Sequence, residues 1–184
     1  METFSLTQCG DEGLVIEMGG QADCSFLLQI QFLELKNQYL WRKFVMMRNP
    51  EETIGKIIDK ASTSFIAYVD DNGYPITKAM LKPRERNGIK TIWFSTNTSS
   101  NKVKYYKENN KASVYFIDKR FFRGVSLIGT MEVLETAEAK ERIWREGDTM
   151  YYKEGVADPD YCVLKFTAVK GRYYSNFKSE DFEV

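Results

Sequence analysis

Between residues 64 and 135 the chain repeats one pattern: a short run of β-branched and aromatic residues, then a tight polar turn. In "SFIAYVDDNGYPITKAML" (64–81) two such runs flank Asp71-Asn72-Gly73, a turn sequence that readily accepts positive φ. Pro75 stands at the start of the second run, where a missing N–H is tolerated. "KPRERNG" (82–88) reads as a second turn and "IKTIWFST" (89–96) as a third strand. "KASVYFID" (111–118) and the long "GVSLIGTMEVLE" (124–135) follow, and "DYCVLKFTAVKGRYYSNF" (160–177) supplies one long strand or two short ones. Turns this tight join neighbours antiparallel, because parallel strands need crossovers of a dozen or more residues. About six strands, with one long and bent, predict a mainly β chain with short helices (α+β) that closes into a small antiparallel barrel. Gly129 lies inside the long run, which implies a bulge or a close approach by a ligand or another backbone.

Three short helices are expected between the strands. In "RNPEETIGKIIDKAS" (48–62), Asn49 can cap, Pro50 suits the first helical position, and Glu52 can close a capping box. Ile54, Ile57, Ile58 and Ala61 form its apolar face. Residues 99–109 read as a second helix ending at Asn109-Asn110, and 136–147 as a third, capped by Thr136 and stopped by Gly147. Residues 1–46 stand outside this pattern as an N-terminal extension, with "LVIEMGG" a strand candidate and "CSFLLQIQFLELKNQYLWRKF" a helix candidate. The domain proper is expected at 47–184, and a chain starting at Met46 or Met47 is expected to keep it.

Composition removes several function classes. Hydrophobic content of 43% and charged content of 28% are those of a globular protein. No apolar run reaches the roughly 20 residues of a membrane span, and the N-terminus lacks the basic start and apolar stretch of a signal peptide. A cytoplasmic location without membrane association is the expectation. Cys9, Cys24 and Cys162 are an odd, scattered set, suited neither to a disulfide framework nor to zinc. The chain has no histidine, which removes Ser-His-Asp triads and most metal and haem sites. No carboxylate dyad for hydrolysis is visible, so no residue is assigned as catalytic, and chemistry must come from a bound cofactor. Net charge is zero overall but −3 over 1–46, +7 over 47–123 and −4 over 124–184. That middle third suits a small anionic ligand, whereas the absence of like-charge blocks argues against nucleic acid.

One stretch of the basic third stands out. "WFSTNTSSNKVKYY" (93–106) runs from a strand through small hydroxyl and amide residues to a lysine and a helix. Helix N-termini present unpaired N–H groups that suit phosphate, though such runs are more often plain caps. Trp93, Phe94, Trp144 and Cys162 read as packing residues, and the pairs Tyr105-Tyr106 and Tyr151-Tyr152 as core or interface.

"FSTNTSSNK" (94–102) resembles the F-x-T-N-x-x-S-x-K segment of the pyridoxamine 5′-phosphate oxidase-like family, the FMN-binding split barrels. "GYPITKAMLK" (73–82) resembles the strand after that family's G-x-P turn, and "RGVSLIGTMEVLE" (123–135) its R-x-V-x-x-x-G-x-x-E-x-L strand. "WREGDTMYYKEGVADPDYCVLKF" (144–166) is similar to the general-stress-protein branch, including G-x-x-D-P-D-Y. The resemblance spans roughly 48–178.

It implies a six-stranded antiparallel split β-barrel that holds FMN at the interface of a homodimer. It implies that Lys78 reaches the FMN phosphate where the family often has arginine. Ala79, Met80 and Leu81 would run along the isoalloxazine edge. Ser95 and Thr96 would form the strand-end pair, and Ser100 and Lys102 the phosphate grip. The implied activity is oxidoreduction of a small molecule with a nicotinamide donor, in the manner of a flavin reductase or nitroreductase. The alternatives are a flavin-binding, stress-associated protein without turnover, and a relative that has lost the flavin. Gly124 replaces the glutamine of true pyridoxamine phosphate oxidases, and "GRYYSNFKSEDFEV" lacks their terminal tryptophan-and-arginine segment, which argues against vitamin B6 oxidation.

Overall fold

The computed structural model describes residues 6–8, 14–16, 47 and 49–184. The chain divides into two units, Met1–Val45 and Met46–Val184. In the first, β1 (Leu6–Gln8) and β2 (Leu14–Ile16) pair antiparallel, so "LVIEMGG" does open with a strand. The helix expected within 24–44 lies outside the described residues.

In the second unit the order is α1 (Pro50–Lys60), β3 (Thr63–Val69), β4 (Pro75–Leu81), β5 (Glu85–Asn87), β6 (Thr91–Asn97) and α2 (Asn101–Glu108). Then come β7 (Lys111–Asp118), β8 (Arg123–Leu134), α3 (Ala137–Ile143), β9 (Tyr161–Ser175) and β10 (Lys178–Glu183). The eight strands β3 to β10 form one antiparallel sheet in the order β4-β3-β7-β8-β9-β6-β5, with β10 on β9.

The six expected strands are all present, and two more join them. β5 lies in the stretch expected to be a turn, because Gly88 at φ 60° folds Glu85–Asn87 back onto β6. β10 escapes the pattern because its turn is Asn176-Phe177, both at positive φ, and phenylalanine is not a residue that turn chemistry predicts there. At the β3–β4 turn the expected glycine is in place: Gly73 sits at φ 83°, and Asp70 Oδ1 accepts from Asn72 N and Tyr74 N at 2.9 and 2.8 Å.

Gly129 marks a bulge. The β8–β9 register shifts between Ile128 and Gly129, and a Cβ built on Gly129 would lie 1.9 Å from the Thr167 carbonyl oxygen. The close neighbour is therefore a backbone, not a ligand. With the register broken, β9 serves three partners: Tyr161–Thr167 pairs with β6, Lys170–Ser175 with β10, and both halves with β8.

One main core fills the inner side of the sheet. Ile54, Ile57, Ile58 and Ala61 of the α1 region are buried with Ile66, Val114, Phe116, Leu127 and Phe166, and α2 adds Val103 and Tyr106. Asn49 caps α1 through Glu52 N at 3.2 Å, while the Glu52 carboxylate pairs with Lys56 instead of closing the capping box. α3 stops at Ile143, short of Gly147, and gives way to a 3-10 turn over Glu146–Met150. The cause is long-range: the Asp148 carboxylate takes the Arg145 N–H and an Arg84 guanidinium, which bends the chain out of the helix.

Candidate functional site

Strand register decides which way β4 presents its side chains. Lys78 and Met80 pair with Ile66 and Ser64, both buried, so they share the core-side face. Ala79 and Leu81 pair with Phe65 and Thr63 on the opposite face. β6 and the first turn of α2 approach the end of β4, and a cavity of about 320 Å³ opens between them. A volume of this order suits a small-molecule ligand. Its lining includes Lys78, Ala79, Met80, Leu81, Ser95, Thr96 and Lys102, all expected from the sequence. Lys82, Arg84, Phe94, Asn97, Tyr151 and Tyr152 complete it.

Ser100, also expected at the phosphate, is not among the lining residues. It stands at the N-cap of α2, and its hydroxyl donates to the Asn97 carbonyl at 2.7 Å. Most of the polar row before α2 is likewise committed to structure. Asp160 accepts from Asn97 Nδ2 and from Ser99 N, each at 2.7 Å, and its carbonyl accepts from Thr98 N at 2.8 Å. Those hydrogen bonds hold the Asp160 carboxyl below its usual range, Asn97 first and Ser99 second. The row is thus a turn clamped by the Asp158-Pro159-Asp160 segment.

Lys102 has a different setting. It is only 9% exposed. Burial, and then the nearby charge of Lys78, push its ammonium below the ordinary lysine range. Among the described residues no salt bridge reaches Lys78 or Lys102. Two adjacent cations without a counter-charge make a pocket for an anion. Lys82 is less available, since its Nζ donates to the Asp59 carbonyl at 2.8 Å.

The wall opposite β4 is aromatic. Tyr152 packs tilted on Tyr161 at 4.6 Å between ring centroids, and Trp144 stacks edge-on against Tyr161 at 5.2 Å. Burial pushes the Tyr152 and Tyr161 phenols up to about 12, so both stay neutral donors through the physiological range. Tyr151 stands largely exposed at the cavity mouth. Trp93 and Phe94 are buried as expected, although Phe94 also touches the cavity. Cys162 is fully buried on β9, and its thiol is pushed up by burial.

None of the lining residues is a carboxylate, and among the described residues no cluster of His, Cys, Asp or Glu could hold a metal. The site can therefore grip an anionic group at the lysines and a flat group between β4 and the tyrosines. It has no acid–base dyad of its own. The residues that sequence reading missed, Arg84 and the Tyr151-Tyr152 pair, come from a loop and a 3-10 turn that no local pattern joins to β6.

The family model that matches this chain is pyridoxamine 5′-phosphate oxidase, over residues 50–175. The chain belongs to this family. A solved structure of a *Clostridium acetobutylicum* protein related to general stress protein 26 of *Bacillus subtilis* is 37% identical. It superposes with a TM-score of 0.68, over 73% of this chain and 94% of that one. General stress protein 26 from *Bacillus anthracis* shares the fold at 19% identity and a TM-score of 0.60, over 73% of this chain and 98% of that one. A nimC/nimA family protein from *C. acetobutylicum* does so at 19% and 0.59, over 74% and 94%. A search of curated protein sequences gives no match.

Within the pyridoxamine 5′-phosphate oxidase family the chain lies on the general stress protein 26-like branch. One feature of β8 bears on chemistry. A Cβ at Gly124 would lie 2.1 Å from the Tyr115 phenol oxygen. Tyr115 thus fills the space that a side chain at 124 would need.

Proposed function

We propose that the cavity binds FMN, with Lys78 and Lys102 on the phosphate and Ala79, Met80 and Leu81 along the ring. The supporting observation is the convergence of two unneutralised lysines, one of them buried, in a cleft that holds no carboxylate. The donor set fits: lysine charge and the first turn of α2 suit a phosphate dianion, and Tyr151 and Met80 offer faces to a planar ring. When bound, the flavin supplies hydride chemistry. The chain's own residues anchor, orient and shield it.

The activity read from this is reduction of a small molecule at the expense of a nicotinamide donor, as in flavin reductases or nitroreductases. Pyridoxamine phosphate oxidation is disfavoured, because Tyr115 occupies the space beside Gly124. A homodimer completes the reading. β4 is exposed along nearly its whole length although Ile76 and Leu81 are apolar. The face carrying Phe65, Ala67, Ser113, Tyr115, Ser126 and Ile128 has no charged residue among these six, and Tyr115 and Ile128 stand exposed on it.

Titration with FMN and riboflavin tests the reading. The protein should turn yellow and quench FMN fluorescence. Lys102→Ala should weaken FMN by about tenfold to a hundredfold, the worth of one charge-assisted contact, and leave riboflavin nearly unchanged. Equal loss of both would remove Lys102 from the phosphate. Bleaching by NADH or NADPH, then reoxidation by a quinone or nitroaromatic, separates an enzyme from a flavin carrier.

A further inference from the structure

Arg84 lines the cavity together with Lys78, Lys82 and Lys102. The simple assignment would make Arg84 a phosphate ligand. Its geometry points elsewhere. Its side chain is 12% exposed, and Nη2 donates to Asp148 Oδ1 at 2.6 Å, with Asp148 only 4% exposed. The guanidinium charge is already neutralised at a buried pair. Nε donates to Ser95 Oγ at 2.9 Å. The backbone is tied as well: Arg84 N donates to the Trp93 carbonyl at 2.8 Å, and the Arg84 carbonyl accepts from Arg145 Nη2 at 2.8 Å.

Asp148 carries the connection onward. Its second oxygen accepts from Arg145 N at 3.1 Å. Its carbonyl accepts from both Tyr151 N and Tyr152 N, at 2.9 and 3.0 Å. A chain of hydrogen bonds therefore runs from Ser95 on β6 through Arg84 and Asp148 to the two tyrosines of the cavity wall.

We infer that Arg84 is a positioning residue that holds this wall and orients Ser95, and is not a ligand of the anion. A hydroxyl has one proton and two acceptor sites. With an acceptor site taken by Arg84, the Ser95 proton is left to donate into the cavity. Through Asp148, Arg84 also keeps Tyr151 and Tyr152 against the ligand space. Its contribution is to the fit of the ring, which FMN and riboflavin share, whereas Lys102 acts on the phosphate, which only FMN has. The choice of ligand rests on the flavin reading above; the latch itself does not.

The test uses the full chain and the variants Arg84→Met and Asp148→Asn. Hydrogen exchange at the Tyr151 and Tyr152 amides needs no flavin. It should accelerate about tenfold or more in both variants, in line with loss of a charge-assisted pair, while the amides of β8 and β9 stay protected. Unchanged exchange at 151 and 152 overturns the inference. In flavin titrations Arg84→Met should weaken FMN and riboflavin by the same factor, again about tenfold. Selective loss of FMN overturns the inference by making Arg84 a phosphate ligand, and wild-type affinity for both flavins overturns it too. Should Arg84→Met not fold, Asp148→Asn carries both measurements. If the wild-type protein binds neither flavin, the FMN reading falls, and the exchange result alone decides the latch.

Discussion

Lys102 is held against its own charge. Burial and Lys78 both disfavour its ammonium, and no carboxylate offsets them. The folded state binds this proton less readily than the unfolded state, so between the lowered pKa and the ordinary lysine value the unfolded chain carries more protons. Stability of the flavin-free protein should therefore rise with pH across that interval, the reverse of a salt-bridged lysine. Flavin binding should move the opposite way, since phosphate needs the ammonium. Thermal melts of the free protein against pH, beside FMN titrations at the same pH values, check both signs. Lys102→Met should stabilise the flavin-free protein at neutral pH by about 0.5–2 kcal/mol while reducing the preference for FMN over riboflavin. A melting temperature lowered by that substitution would show the ammonium to be satisfied in the fold. At this scale the sequence was partly legible. Lys78, read from residues 73–82, and Ser95, Thr96 and Lys102, read from 94–102, come together on one cavity. Spacing does not reveal that the Ser100 hydroxyl donates to the Asn97 carbonyl, outside the cavity lining.

Among the elements, β8 and β9 depend on a single glycine. The bulge at Gly129 lets β9 change partners from β6 to β10, and backbone fills the space a side chain would take. Gly129→Ala should cost about 1–3 kcal/mol as an overpacked site, read as a shift of the denaturation midpoint with the slope unchanged. A neutral outcome would mean that the two strands separate more easily than their register implies. The strands and helix caps were legible because their determinants lie within a few residues: Asp70 to Gly73 for one turn, Asn49 and Pro50 for α1. The end of α3 was not, since Gly147 is a local stop signal and Asp148, held by Arg84 from 64 residues away, ends the helix earlier.

For the whole molecule the outer face of the sheet carries the prediction. If that face joins two copies, Ile128, 44% exposed and central to β8, becomes buried in the dimer. Ile128→Arg should then yield a monomer in sedimentation velocity, and FMN affinity should fall as the dimer is lost, through linkage between binding and dimerisation. An unaltered dimer would move the contact to another surface. The sequence by itself determined the antiparallel β class, the three short helices and the basic segment around Lys102, because each follows from patterns read over a few neighbouring residues. Tertiary structure alone decided that the hydroxyl row is clamped by Asp160, that Gly129 meets a carbonyl, and that Arg84 pairs with Asp148. Those partners lie from 38 to 64 positions away in the chain. Strand register brings them together, and register is a property of the packed sheet.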